Sequence, residues 1–432
     1  MPPNPSDERI PCKNPECCNT ILPVTARIND GLCAPCLGKV RKAARDEYIR
    51  QNRRKVNLYE GVSDPVEAIQ IMQTRRQYDP LIQYLPSPKT LDEWFAELSP
   101  TGVERLVQVA ADAMEEGNED LAEDLGKSLA MLTTQNLDAM LLVWLKANHL
   151  WPSIVFRDAG RAVRDRILAT ITGETPVLAV SHALCALAWI GDEVVQRQFA
   201  AWEKRPPSWR QNLHAGPAGY ARTAGWELVA DSRRDLFFHE CQGLAVAERG
   251  EAANGIALLV ERSDVCPWCS DRLVHLIEIP ARAAEFVFLE YAADVLPVLT
   301  CERCTCWQEH LFARIGTNGQ TAWHPSNQRR ILPGLDTAAI PWERGPWAGV
   351  AASLKHRSAI RAGDWGTGIS MTQIGGMPTW VQDATFPSCP DCSETMMFLA
   401  QLSNDDFRGY EGTYYAFWCP ACRVTATCYQ QT

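Results

Sequence analysis

Between residues 91 and 245 apolar positions return every three or four residues, a period that predicts helices. Thr101-Gly-Val-Glu104 fits a capping box ahead of Val103, Leu106, Val107, Ala110 and Met114, and Leu121, Leu125, Leu129 and Leu132 continue the pattern. Thr175-Pro176 supplies an N-cap and a first-turn proline for a helix through Leu178, His182, Leu184 and Leu187 that stops at Gly191. The next helix opens at Asp192-Glu193 and closes before Pro206-Pro207. Successive amphipathic helices with short breaks and no strand pattern between them predict a stacked, HEAT-like array without a strict period.

From residue 246 the pattern shortens to runs of five to seven residues rich in β-branched and aromatic side chains. Ala257–Glu261, Leu273–Ile279, Phe286–Glu290, Met396–Leu402 and Thr413–Trp418 read as strands, separated by Gly, Pro and Asp. Residues 307 to 370, dense in Trp, Gly and Pro, read as a long ordered loop region. Ahead of the helices, residues 10 to 38 read as a zinc ribbon. Lys39, Arg41, Lys42, Arg45, Arg50, Arg53, Arg54 and Lys55 follow on a helix-compatible stretch. That stretch reads first as a solvated helix face, and otherwise as a local anion or nucleic-acid contact. Val56 to Pro88 reads as a partly helical connector. The expected fold class is therefore α+β multidomain: a zinc ribbon (1–38), a helical connector (39–90), a HEAT-like α-helical domain (91–245) and a β-rich domain with two zinc-knuckle hairpins (246–432).

Length agrees with several domains, since 432 residues exceed one ordinary core. Hydrophobic residues at 46% and charged residues at 22% are globular averages and exclude wholesale disorder. No apolar run has spanning length, and Met1 to Arg9 lacks the basic start and apolar core of a secretory signal, so a cytoplasmic protein is expected. A net charge of −10 argues against a generic nucleic-acid binder and suits a basic partner.

Seventeen cysteines change the picture most. Twelve fall into three paired sets: Cys12, Cys17, Cys33 and Cys36; Cys266, Cys269, Cys301 and Cys304; Cys389, Cys392, Cys419 and Cys422. Two such pairs brought together present four thiolates in the tetrahedron that Zn2+ prefers, and an all-sulfur site leaves no position for water or substrate. Up to three structural zinc ions are expected. Cys18 competes with Cys17, which gives the tighter loop. Cys18, Cys185, Cys241, Cys306 and Cys428 read as buried small apolar residues or spare thiols.

Within the β part the chain repeats itself without a gap: Cys266-Pro-Trp-Cys269-Ser-Asp-Arg-Leu273-Val-His-Leu276 aligns with Cys389-Pro-Asp-Cys392-Ser-Glu-Thr-Met396-Met-Phe-Leu399. Each copy runs through strand-like sequence to a second pair, which predicts two zinc-tied hairpins related by an approximate two-fold. Ile374-Gly-Gly-Met-Pro378-Thr-Trp380-Val-Gln382, Cys389-Pro-Asp-Cys392, Met397-Phe-Leu-Ala-Gln401 and Tyr415-Ala-Phe-Trp-Cys419-Pro-Ala-Cys422 resemble the YwqG-type (DUF1963) proteins and the programmed cell death 2 group. The resemblance covers about 246 to 432. It implies a β-rich, pseudo-symmetric fold used for protein binding, chaperoning or toxin neutralisation, with no established chemistry.

Catalytic patterns are weak or missing. Cys-Pro-Trp-Cys resembles a thiol redox motif, but Cys269 leads into strand-like residues with a second pair downstream. A zinc deaminase needs His-x-Glu, which does not occur. His239-Glu240-Cys241 places a possible base near a thiol, yet neighbours on a regular element do not face each other. No metalloprotease, Walker, nucleophile-elbow or dinucleotide motif is present. The chain reads as a non-enzyme.

Glu104, Asp112, Glu115, Glu116, Glu119, Asp120, Glu123 and Asp124 crowd the first helices of the array, with Arg105 and Lys127 nearby. This run reads either as a hydrated surface or as an electrostatic docking face for a basic protein. Trp307, Trp323, Trp342, Trp347 and Trp365 are candidate aromatic anchors or core filling around the zinc hairpins. The functional expectation is an immunity protein that occludes a cognate bacterial toxin domain. The alternative is a zinc-dependent adaptor or chaperone for a basic protein such as a ribosomal component. Neither membrane nor nucleic acid is expected as a partner.

Overall fold

The structure, a computed structural model, describes residues 9–230, 232–246, 255–330, 352–364, 370–407 and 411–431. Contacts divide the chain into a unit ending at Trp94 and a unit beginning at Phe95. Ribbon and connector thus group together, as do the helical and β-rich parts.

In the first unit, strands β1 (Ile10–Pro11) and β2 (Thr20–Ile21) form a short antiparallel hairpin, followed by helices α1 (Pro23–Ile28) and α2 (Ala34–Asn52). Both helices carry a proline in the first turn, where the missing N–H costs nothing. The buried core here is Ile21 and three cysteines, with Cys17, Ala26 and Leu32 packed against them. So little apolar surface does not offset chain entropy. Strand β3 (Arg54–Val56) pairs in parallel with β4 (Ile82–Tyr84). Between them α3 (Pro65–Gln73) buries Val66, Ala68 and Ile69, and its N-cap Asp64 accepts from Val66 N–H at 3.1 Å. A reciprocal capping box opens α4 (Leu91–Ala96): Thr90 N–H donates to Glu93 at 2.7 Å and Glu93 N–H to Thr90 Oγ1 at 3.3 Å.

In the second unit, seven helices precede the strands: α5 (Pro100–Glu115), α6 (Glu119–Leu132), α7 (Asp138–Lys146), α8 (Arg161–Thr170), α9 (Val177–Ile190), α10 (Glu193–Lys204) and α11 (Pro217–Thr223). Helix α9 is apolar nearly all round and packs against α8, α10 and α11, burying Val180, Ala183, Leu184 and Leu187. Gly191 ends it in the left-handed conformation and Asp192 caps α10 through Val195 N–H. Two caps differ from the sequence reading. Ser99, not Thr101, caps α5 by accepting from Gly102 N–H at 3.1 Å, because the proline at position 100 fixes the first turn two residues earlier. Thr175 does not cap α9; its hydroxyl turns back to Thr170 O and Thr172 instead.

The β texture begins earlier than expected. Strands β5 (Trp226–Val229) and β6 (Ser232–Asp235) pair antiparallel, and β7 (Cys241–Val246) enters the main sheet. Their residues alternate too little to be read from the sequence: β6 is Ser-Arg-Arg-Asp. Strands β8 (Ala257–Val265), β9 (Arg272–Ile279) and β10 (Leu296–Thr300) make a three-stranded antiparallel sheet. After the short α12 (Glu302–Thr305) come β11 (Leu311–Ile315), β12 (Thr321–Trp323), β13 (Ala352–His356), β14 (Gln373–Gly375), β15 (Met397–Ser403), the short α13 (Asn404–Phe407), β16 (Thr413–Cys419) and β17 (Val424–Gln430). With β7 these strands form an eight-stranded antiparallel sheet in the order β12-β11-β17-β16-β15-β14-β7-β13. Three strands thus lie within 307–370, where the sequence reading had loop. Phe286–Glu290, expected as a strand, is a 3-10 turn (Ala284–Leu289) that buries Phe286 and Leu289 three residues apart. One core joins the two sheets, with Leu276 and Val298 from the smaller beside Leu402 and Trp418 from the larger.

Two outcomes test this packing. Gly126 of α6 faces the fully buried Trp144 and Val155, and an added Cβ would sit 2.7 Å from the indole. Gly126→Ala should therefore lower stability by about 1–3 kcal/mol despite its better helix propensity, read as a lower urea midpoint in the presence of zinc. His310 is half-buried between Phe312 and Phe417, and the desolvation lowers its pKa. The unfolded chain then binds a proton near pH 6.5 that the folded chain refuses, so stability falls as pH drops below about 6.5. His310→Phe should flatten that acid dependence between about pH 7 and 5.

Candidate metal centres

Each predicted set of cysteines converges. In all three sets the four Sγ atoms lie within 4.8 Å of one another. Sulfur–sulfur distances include 3.6 Å (Cys17–Cys33), 3.7 and 3.5 Å (Cys266–Cys304 and Cys269–Cys301) and 3.8 Å (Cys392–Cys419). A tetrahedron of Zn–S bonds of about 2.3 Å has edges of about 3.8 Å, so the sulfurs already outline a volume of zinc size. All seventeen cysteines are unbridged. The donor sets fit Zn2+ with no position left for another ligand.

Local structure explains each site. In the first, Cys12 follows β1 and is tied to the hairpin by its N–H to Asn19 O at 2.9 Å. Cys33 is the N-cap of α2 and Cys36 lies in its first turn, where unsatisfied N–H groups favour thiolate. The Cys36 backbone N–H accordingly holds the Cys33 thiol down to about 6. Asn14 and Asn19 donate side-chain N–H to Cys36 and Cys33 at 3.3 and 3.6 Å, and Cys33 N–H donates to Cys12 at 3.3 Å, an outer shell of the kind that orients metal ligands. Cys17 belongs to this group, whereas Cys18 is exposed and outside it.

The second and third sites share a turn. Ser270 N–H donates to Cys266 O at 3.0 Å and Cys266 N–H to Asp271 O at 2.7 Å; the counterparts, Ser393 to Cys389 and Cys389 to Glu394, are both 2.8 Å. Ser270 and Ser393 are left-handed, with φ of 64° and 65°. The closing pairs differ: Cys301 and Cys304 flank the first turn of α12, whereas Cys419 and Cys422 span the β16–β17 hairpin. Trp323 stands edge-on to Trp268, ring centres 5.0 Å apart, in the apolar shell of the second site. Trp307 is half-buried, and Trp342, Trp347 and Trp365 lie outside the described residues. At the third site Arg314 grips Asp391, inside the knuckle, at 2.7 and 2.8 Å, joined by His324 at 3.2 Å. Those contacts tie the knuckle to β11 and could not be read from residues so distant in sequence.

Spare cysteines behave differently. Cys241 opens β7, buried against Gln373, and burial pushes its thiol up to about 12. His239 turns away to Asp235 at 2.9 Å, so the two form no nucleophile–base pair. Burial likewise raises Cys185 to about 11. Sequence reading missed a hydrogen-bonded series, Thr321 to His275 at 2.8 Å and His275 to Glu278 at 2.6 Å, with Thr321 and His275 buried and Glu278 partly open to solvent.

The Gly-Gly-Met-Pro-Thr-Trp element is a latch. Gly375 and Gly376 have φ of 69° and 68°, and a side chain on either would strike the Glu240 or Ala359 carbonyl. Thr379 N–H then donates to Gln401 at 2.9 Å, Tyr415 OH donates to Thr379 O at 2.6 Å, and Trp380 stacks on Tyr415 at 4.9 Å. Gln401 and Tyr415 are paired in register on β15 and β16.

On α5, α6 and the turn between them, Glu104, Asp112, Glu115, Glu116, Glu119 and Asp120 are exposed. Glu123 and Asp124 turn partly inward, to His149 and Lys127, both at 3.1 Å. Glu119, Glu123 and His149 bring their ligand atoms within 4.8 Å of one another, a juxtaposition made by the segment after α7 meeting α6.

No family model matches this chain, and no solved structure matches it. A Salmonella typhimurium protein described as uncharacterized protein YpfL is 37% identical over 436 residues, spanning 99% of this chain and 100% of its own. The chain belongs to the YpfL family. Because the YpfL match runs end to end, both units fall within it.

Elemental analysis provides the test of the centres. Purified protein should hold three zinc ions per chain. Cys17→Ser should lose one equivalent, while Cys18→Ser keeps all three.

Proposed function

We propose that the protein is a zinc-stapled binding scaffold whose three closed sites hold structural zinc, and that it acts as an immunity-type inhibitor by occluding a basic toxin domain. The carrying observation is the six exposed carboxylates of α5, α6 and the turn between them in a chain of net charge −10. Clustered negative charge on a rigid helical surface accelerates encounter with a cationic partner and competes with that partner's anionic substrate. All-thiolate donor sets support a structural role for the metal, since no coordination position opens to a reactant. The helices α5 to α11 then serve as a HEAT-like platform, and the matched turns at Cys266 and Cys389 reflect a duplicated zinc hairpin.

A second reading, a zinc-dependent adaptor or chaperone for a basic protein such as a ribosomal component, is favoured by the latch around Thr379 and Trp380. That element carries the resemblance to the YwqG-type and programmed cell death 2 proteins.

Affinity capture with the full chain, followed by mass spectrometry, should return a stoichiometric basic toxin domain whose activity the complex suppresses. Glu115→Lys/Glu116→Lys/Glu119→Lys should slow association about ten-fold or more at low salt. A captured ribosomal component would favour the adaptor. Capture that leaves a toxin fully active would remove the inhibitor reading.

A further inference from the structure

The charge balance of the whole chain conceals a segregation. Residues 1–94 carry fourteen Lys and Arg against twelve Asp and Glu, whereas the full chain carries 42 against 52. We propose that the first unit binds single-stranded nucleic acid, through the basic helix α2, the residues leading into β3, and the tyrosine cleft beside β4. This goes beyond the inhibitor reading and does not depend on it.

Helix α2 is the first part of the argument. It is 19 residues long, and Cys36, at its metal-bound end, is its one buried residue. A helix with no apolar face gains little from packing. Among the described residues its ion pair is that of Arg50 with Glu47 at 2.6 Å. Lys39, Arg41, Lys42 and Arg45 are exposed and have no carboxylate partner among the described residues. Cys33 and Cys36 instead anchor the helix at its start, so a metal-clamped turn holds a projecting rod of uncompensated cations. Such a rod suits a polyanion, whose condensed counterions it would release.

The second part is independent and lies in the same unit. Arg53, Arg54 and Lys55 continue the positive run directly into β3, and parallel pairing sets Arg54 beside Ile82 and Val56 beside Tyr84. Arg54 is therefore about 7 Å along the strand from the position facing Tyr84, on the same side of the pleat. A cleft of roughly 270 Å³ opens here, lined by Leu58, Tyr59, Arg76, Tyr78, Ile82 and Tyr84 among others. Tyr78 is 81% exposed and Tyr84 40%, an unusual outlay of aromatic surface to water. Arg76 is fixed over the Tyr84 ring at 5.5 Å by bonds to Ile71 O at 2.7 Å and Thr74 O at 3.1 Å. Exposed tyrosines beside fixed guanidinium groups form the stacking platform that unpaired bases occupy, with cations tracking the backbone. A base within a duplex cannot present its face to such rings, and so the single strand is favoured. An acidic protein would account for the cations of α2 but not for the open rings.

Fluorescence anisotropy tests this with the zinc-replete full chain and labelled mixed-sequence oligonucleotides, single-stranded RNA and DNA and the matching duplex. Single strands should bind more tightly than duplex. The plot of log affinity against log salt should slope at about −3, as four or five phosphate contacts require. Lys39→Gln/Lys42→Gln/Arg45→Gln should weaken binding ten-fold or more and flatten that slope. Tyr78→Ala and Tyr84→Ala should weaken it about five- to a hundred-fold and leave the slope unchanged. These positions are exposed, and unchanged zinc content verifies folding in each variant. The proposal is overturned if the full chain fails to bind at about 50 mM salt, prefers duplex, or binds heparin equally well with no loss in the tyrosine variants. Cross-linking of the α2 lysines to an acidic protein, or to the chain's own carboxylates, in place of the oligonucleotide would also overturn it.

Discussion

Four thiolates held within a few ångström of each other repel as anions and pack poorly as thiols, so the arrangement is stable when a cation sits among them. This chain builds that arrangement three times. In the ribbon that opens the first unit little else can organise the fold: Ile21 and the cysteines are its buried core, and a zinc ion, worth on the order of 10 kcal/mol in comparable peptides, would supply what so few apolar residues cannot. In the second unit the same chemistry finishes a fold that already has a core. The Cys266 and Cys389 turns close the ends of two different sheets, and their sulfur atoms pack against Leu273, Leu299 and Leu311 or accept order from the Arg314–Asp391 contact.

That difference gives the two units different physical characters. The second unit is tied by sheet-to-sheet packing, by the glycine latch over β15 and β16, and by a nearly wholly apolar α9. The first has a metal clamp at one end of a solvent-surrounded helix and a small parallel pair at the other. Charge follows the same division, with cations on the lightly packed unit and a carboxylate-rich helical face on the heavily packed one. Surface charge of either sign is inexpensive on a helix whose buried side, or whose metal site, already fixes it.

Sequence spacing was sufficient for features set by neighbours in the chain. The knuckle pairs, the stop at Gly191, the cap at Asp192 and strands β8, β9, β15 and β16 depend on residues a few positions apart, and each is legible. Failures have a common cause. Ser99 and Thr101 are both plausible caps until proline position decides between them, and Phe286–Glu290 has strand composition but buries residues three apart. Strands β6, β11, β12 and β13 are made by partners more than a hundred residues away in several cases, and short polar stretches such as Ser232–Asp235 carry no period of their own.

By itself, then, the sequence determined where metal would be held and which stretches would be helical, because thiol pairs and amphipathic period are local properties. It also fixed the total charge. Tertiary structure alone decided that Glu123 and Asp124 leave the acidic face for His149 and Lys127, and that Tyr78, Tyr84 and Arg76 meet around one cleft. Those outcomes depend on which side of an element points inward once distant segments have packed, and no spacing along the chain encodes that direction.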